Sequence, residues 1–389
     1  MTSSEINFRI VDTVEACGKD RWDALVGEHG ICNCYDYLLA LEKSKINDFR
    51  YKYILIYQEN TLIFGMVVFV TQQLYLDVPV SQEFKKVINF LRNVFPRFLV
   101  AKAIVCGSPI AECNYFSYKS GTNLQFVFMK AQEAIAKLEQ EEKINLVVFK
   151  DFEENQQVDP HLKKLGFTKV YCLPSTVLKT RYADFKKYLK SLKNKYRANI
   201  VNKINKIHCN LDSEISWQIK DKIESIYSLY LQTYERAPVK FEKLNKQFFL
   251  DLFSNLPEKK RCLLLFKYNQ NIIAFAVLLI CKNNCINFRI GMDYSVNKEL
   301  HVYFHLLYHN IEFCIKQQLD NLYLSQTSYR PKLELGARLY PIVGYLKHRN
   351  PIWHRILSLL MKIFFRRYSE LALSANPIET LKKIFPEYY

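Results

Sequence analysis

The sequence predicts an α/β (α+β) protein made of two tandem copies of one unit, each a mixed, mostly antiparallel sheet flanked by helices. Three observations predict it. Strand-like runs at 53–57 (YILIY) and 61–70 (TLIFGMVVFV), parted by Gln58-Glu59-Asn60, read as a β-hairpin. The same plan recurs at 262–268 (CLLLFKY) and 272–280 (IIAFAVLLI) around Asn269-Gln270-Asn271, with a third strand at 285–290. A mostly helical stretch precedes each hairpin, and each copy closes with helix, strand, Leu-Gly and a last strand. In the first copy these are 131–142, 144–150 and HLKKLGFTKVYCLP; in the second, 299–319, 321–325 and PKLELGARLYPIVGYL.

Size and composition agree with this plan. The 389 residues, 49% hydrophobic, suffice for two or three domains with a core in each. Only 10 Gly and 12 Pro exclude collagen-like and low-complexity chains. The hairpins lie about 210 positions apart but the Leu-Gly pairs, Leu165-Gly166 and Leu335-Gly336, only 170, so the first copy carries about 40 extra residues, placed within 81–121. The expected division is a first domain at 1–178, a second at 179–350 and a tail at 351–389. The longest apolar run, 272–281, falls short of the roughly 18–20 residues of a spanning helix. The start MTSSEINFRI has neither a basic nor an apolar export segment, so the expected location is cytoplasmic.

The second copy opens with a predicted helix over 183–207. Phe185, Tyr188, Leu189, Leu192, Tyr196, Ile200, Ile204 and Ile207 share one face. Lys186, Lys187, Lys190, Lys193, Lys195, Arg197, Lys203 and Lys206 supply positive charge with no acidic residue among them. This face is either solvated or turned to a polyanionic partner, which the net charge of +17 also suits. In the tail, Ile352, Trp353, Ile356, Leu359, Leu360, Ile363 and Phe364 form an apolar stripe ringed by Lys and Arg. A helix over 351–368 would make a peripheral contact with an anionic membrane at its inner face, cover an edge of the second domain, or form a dimer contact. The eleven cysteines lack paired spacing and read as reduced core residues. His301, His305 and His309 recur every four residues, but Val302 stands where HExxH has its Glu, so they read as cleft-lining or packing residues and no metal is expected.

With these elements placed, the layout resembles the GNAT acyltransferase fold, and its doubling around a basic helix resembles the FemAB-like branch with tandem GNAT domains. The likeness rests on STVLKTRYADFKKYLKSLKNKYRANI, on HLKKLGF, and on LSQTSYRPKLELGARLYP, which is similar to the branch's G-x-T-x-x-x-K-x-x-L-G-A element. The coenzyme A cradle Q/R-x-x-G-x-G/A of single-domain acetyltransferases is missing: GMDYSVNKELH has Gly291 alone.

The resemblance implies an N-acyltransferase or aminoacyltransferase. Its donor would be acyl-CoA, an acyl carrier protein or aminoacyl-tRNA, its acceptor an amine, and it would hold no permanent cofactor. It implies Lys332 as the positive charge at the developing oxyanion and Tyr329 as proton donor to the leaving group. Gln326 and Thr327 would orient the substrate, Gly336 would let backbone approach closely, and Lys193 and Arg197 would grip a phosphate. A different class fits the same charge: a non-catalytic binding module docking on RNA or on an anionic membrane surface.

Overall fold

A computed structural model describes residues 6–27, 30–77, 82–112, 116–154, 157–205, 211–237, 240 and 242–384. The chain forms two units, Met1–Pro174 with Pro341–Ala375, and Ser175–Tyr340 with Asn376–Tyr389. In chain order, unit 1 begins with β1 (Ile6–Val11), α1 (Lys19–Val26), α2 (Tyr35–Lys43), β2 (Arg50–Gln58), β3 (Thr61–Tyr75), α3 (Gln82–Val94), β4 (Val100–Cys106), β5 (Phe116–Tyr118), α4 (Leu124–Glu142), β6 (Leu146–Glu153), α5 (Asp159–Lys164) and β7 (Thr168–Tyr171). Unit 2 follows with β8 (Ser175–Lys179), α6 (Phe185–Ser191), α7 (Asn194–Asn205), β9 (Leu211–Ser216), α8 (Ile223–Arg236), α9 (Lys246–Asn255), β10 (Arg261–Tyr268), β11 (Asn271–Cys281), β12 (Asn284–Met292), α10 (Tyr294–Leu300), α11 (Val302–Lys316), β13 (Asn321–Tyr323), α12 (Tyr329–Glu334) and β14 (Arg338–Tyr340). The chain returns to unit 1 for β15 (Ile342–His348), α13 (Pro351–Phe364) and α14 (Arg366–Ala372), and ends in unit 2 with α15 (Pro377–Ile384).

The unit 1 sheet runs β1-β2-β3-β4-β6-β15-β7, with β5 paired to β3; the unit 2 sheet runs β14-β8-β13-β12-β11-β10-β9. Both are antiparallel except for one parallel pair each, β4 with β6 and β12 with β13. Read from the hairpins outward, the two orders match strand for strand. β15 therefore takes in unit 1 the place that β8 takes in unit 2. This departs from the boundaries 1–178, 179–350 and 351–389, because each copy's penultimate strand comes from the neighbouring stretch of chain. The tail divides as well, with α13 and α14 in unit 1 and α15 packed on α12.

The hairpins follow from the sequence. Asn269 and Gln270 both take positive φ, the backbone of a two-residue turn whose twist suits the flanking strands. β11 is buried along almost its whole length because both its faces are covered. Ala274, Ala276 and Leu278 join the core under α11, while Phe275 meets Phe249 of α9 on the other side. Gly291 on β12 lets α8 press close, since a β-carbon there would fall 2.7 Å from the backbone of Leu229 and Tyr230. Between β3 and β4 unit 1 has α3, where unit 2 joins β11 to β12 through Lys282 and Asn283 alone.

Two predicted helices are broken. The helix expected over 183–207 is α6 and α7, parted where Leu192 turns extended (ψ 152°) so that Leu192 packs against the unit 2 core beside Tyr188 and Ile200. Lys206 and Ile207 lie outside the described residues. The helix expected over 299–319 is α10 and α11, parted at His301, which is left-handed (φ 47°, ψ 37°).

Candidate active site

The unit 2 sheet delivers the chain from β13 into a turn at 324–328 and then into α12. Ser325, Thr327 and Ser328 all have left-handed backbone, at φ 58°, 61° and 45°. None is glycine, so something must hold the turn. Lys332, one turn into α12 and 4% exposed, does so. Its ammonium donates to the carbonyl oxygens of Leu324 at 2.5 Å, Ser325 at 3.0 Å and Gln326 at 2.9 Å. Strand β8 adds a further clamp: the Thr176 hydroxyl donates to the Ser325 carbonyl at 2.7 Å, and the Leu324 N–H donates to the Thr176 carbonyl at 2.9 Å.

A chemical consequence follows from peptide geometry. In a trans peptide the C=O and N–H point in opposite directions. Three carbonyls converging on one ammonium therefore turn the N–H groups of Ser325, Gln326 and Thr327 away from it. Gln326 is half-buried and Thr327 exposed. Successive N–H groups presented by a left-handed turn form a receptor for an anionic oxygen.

The other predicted residues fall around this turn unequally. Tyr329 is buried at the first position of α12. Gly336, φ 86°, ends α12: its N–H donates to Leu333 and the Ala337 N–H to Lys332. A β-carbon on Gly336 would lie 3.0 Å from Leu192 Cδ2, so helix termination and packing already call for glycine here. Lys193 is exposed at the α6–α7 break, and Arg197 donates to Asn194 Oδ1 at 2.7 Å. Among the described residues no hydrogen bond or ion pair joins either of them to the 324–328 turn.

The surroundings bring in residues that the sequence had not joined to this turn. Tyr303 of α11 meets Ser328; burial pushes its phenol up to about 12, against the pull of the Ser328 hydrogen bond. Lys203 of α7 lies 3.2 Å from the Phe304 ring centre. Burial lowers the Lys203 ammonium, with Glu334 opposing and Arg330 adding to the effect, while Arg330 itself bonds Glu334 at 3.1 Å. His305 is 6% exposed, and burial followed by the neighbouring His309 holds it down to about 4. Its Nε2 is buried without a hydrogen-bond partner among the described residues. His309 packs edge-on to Phe266 and lies 3.6 Å from Glu312. Tyr303 and Lys203 gave no sequence signal beyond an ordinary aromatic and one more charge on a basic face.

The first copy lacks this arrangement. Counting back from its Leu-Gly pair, the fully buried Leu162 stands where unit 2 has Lys332, and Asp159, bonded to Lys169 and Tyr345, stands where unit 2 has Tyr329.

A family model for FemAB-like proteins, described as peptidoglycan biosynthesis/recognition, matches residues 13–324. The chain belongs to the FemAB-like family. Among solved structures, FemX is 10% identical with a TM-score of 0.56, over 90% of the FemAB-like chain and 100% of FemX. A tandem GNAT protein from the clavulanic acid biosynthesis pathway is 8% identical with a TM-score of 0.55, over 89% and 99% of the two chains. L-PGS from Bacillus licheniformis is 10% identical with a TM-score of 0.53, over 90% and 97%. At such identities the likeness is one of fold: a tandem GNAT architecture. No curated protein matches the FemAB-like chain in sequence. Family and fold together support transferase chemistry in general.

Proposed function

We propose that the chain is an N-acyltransferase or aminoacyltransferase acting on an acyl group carried by acyl-CoA, an acyl carrier protein or tRNA. The observation that carries this is the Lys332 turn. An amine acceptor attacks the donor carbonyl carbon; the C–N bond forms and the carbonyl oxygen becomes an oxyanion. The N–H groups of Ser325, Gln326 and Thr327 receive that oxygen, and Lys332 fixes their direction from behind, so no reorganisation accompanies the reaction. Collapse breaks the C–O bond of an ester or the C–S bond of a thioester. The acceptor's proton passes to the departing oxygen or sulfur, with the Tyr329 phenol as relay. The Gln326 and Thr327 side chains orient the donor, and Lys193 and Arg197 meet its phosphates. The scheme uses no metal and no permanently bound cofactor.

The family description supports a peptidoglycan-type amine as acceptor. The clavulanic acid pathway protein is named by the acetyl-CoA it lacks, which keeps a coenzyme A thioester among the donors. The test is the full chain incubated with an amine acceptor and each donor class in turn, read by mass spectrometry. One donor is expected to give a mass gain of one acyl group on the acceptor. No product from any donor, together with RNA binding that collapses as salt rises, would replace the enzyme by a binding module.

A further inference from the structure

Unit 1 carries two helices whose outward faces are apolar. On α13, Ile352, Ile356, Leu359 and Ile363 recur every three or four residues and are between 42% and 69% exposed, with Trp353 beside them at 56%. The opposite stripe, Leu357, Leu360, Met361 and Phe364, packs against Val170 and Leu346, so α13 is anchored without using its outer face. On α3, Val87, Phe90 and Val94 form a second exposed stripe, continued by Phe95 just past the helix end. The two helices share one rim. Arg92 of α3 grips Asp77 at 2.5 and 3.2 Å and lies over the Tyr75 ring, while Leu76 between them packs on the Val170, Leu346 and Met361 cluster that α13 covers.

The charge beside the α13 stripe has one sign. Residues 347–368 hold Lys347, Arg349, Arg355, Lys362, Arg366 and Arg367 and no acidic residue. Arg355 and Lys362 are exposed and border the α13 stripe; Lys86 and Arg97 are exposed at α3. A second copy on this rim would set like charges face to face. No helix among the described residues is long and apolar enough to cross a membrane, so a lipid contact here lies on the surface.

We propose that this rim docks unit 1 on a bilayer of anionic phospholipid. The apolar stripes of α3 and α13 enter the headgroup and acyl boundary, and the bordering Lys and Arg meet lipid phosphates. The inference goes beyond the transferase reading and stands without it.

The test is flotation of the full chain with vesicles of equal parts phosphatidylcholine and phosphatidylglycerol, against phosphatidylcholine alone. Flotation is expected with the anionic vesicles only, weakening as salt rises, with a blue shift of fluorescence that Trp353→Phe removes. Leu359→Glu with Ile363→Glu, and separately Phe90→Glu, are each expected to lower partitioning at least about tenfold. Arg355→Gln with Lys362→Gln is expected to lower it on the order of tenfold without touching an apolar residue. Each variant's thermal unfolding is compared with the parent to confirm that these exposed positions leave the fold intact. Equal flotation of parent and both apolar variants, no flotation of the parent, or a sedimenting dimer that Leu359→Glu abolishes would each overturn the proposal.

Discussion

Lys332 gives its charge to three carbonyl oxygens, so its removal acts through geometry. In Lys332→Ala three acceptors converge on a vacated, buried site, and the left-handed turn at 325–328 loses the group that holds it. Turnover is expected to fall by about 10²–10³, with a smaller change in KM, as when an oxyanion donor is lost. Stability is expected to drop by roughly 3 kcal/mol, since hydrogen bonds to a charged group are removed and their partners left unmet. Lys332→Arg is expected not to restore turnover, because a planar guanidinium cannot place one nitrogen among three converging oxygens. Steady-state kinetics of the two variants decide this, and full activity of the Arg variant would reduce Lys332 to a simple charge. His305 makes a prediction of another kind. Its folded pKa, about 4, lies below the ordinary 6.5, so the unfolded chain binds more protons between these values. Its contribution is full above pH 6.5 and is lost as pH falls toward 4, up to about 3 kcal/mol. Denaturant melts across this window should show a flatter pH dependence in His305→Asn; an unchanged slope would assign acid sensitivity to other groups.

At the scale of elements, the two Leu-Gly pairs offer an internal control. Gly166 and Gly336 both have φ 86°, and each ends a short helix in the same way. Alanine at either position is expected to cost about 1–2 kcal/mol in left-handed strain. At Gly336 the new methyl also meets Leu192 Cδ2 at 3.0 Å, whereas at Gly166 the nearest atom is the flexible Lys347 Cε at 3.7 Å. Gly336→Ala should therefore lower Tm more than Gly166→Ala, and Leu192→Ala in the Gly336→Ala background should recover part of the difference. Equal shifts at the two glycines would show that the Leu192 contact relaxes freely. The same neighbourhood explains what local pattern reveals. The hairpins were legible because polar triplets interrupt long apolar runs. The break at Leu192 was not, since the helical spacing of apolar residues runs straight through it and only packing against the rest of unit 2 pulls that residue out of the helix. The 324–328 turn was equally hidden: Ser-Gln-Thr-Ser carries no Gly or Asn to announce left-handed backbone. Position in the motif singled out Lys332, but the oxygens that it binds appear only once the fold exists.

Across the whole molecule, hydrophobic pattern identified the strands but not which sheet each joins. The boundary at 178 left most of β8 in the first copy, and the closing pattern PKLELGARLYPIVGYL left β15 in the second; each pairs in the other sheet, because a buried strand carries the same apolar signature wherever it is bonded. Charge is the other property of the whole chain. A balance of +17 favours any polyanion, so net charge alone does not separate a tRNA-borne donor from a small thioester. The break between α6 and α7 can separate them. Lys193 lies in it and Arg197 on α7, and among the described residues neither bonds to the 324–328 turn, so Lys193→Gln with Arg197→Gln removes two charges without touching the Lys332 hydrogen bonds. If these residues hold donor phosphates of an RNA, the double variant should bind aminoacyl-tRNA more weakly at low salt, and the slope of log affinity against log salt should shrink by about 2. Turnover of a short thioester lacking nucleic acid should stay at the parent value. A parent-like salt slope would remove α6 and α7 from donor binding, and an equal loss on both substrates would place Lys193 and Arg197 at the reacting group rather than along the carrier.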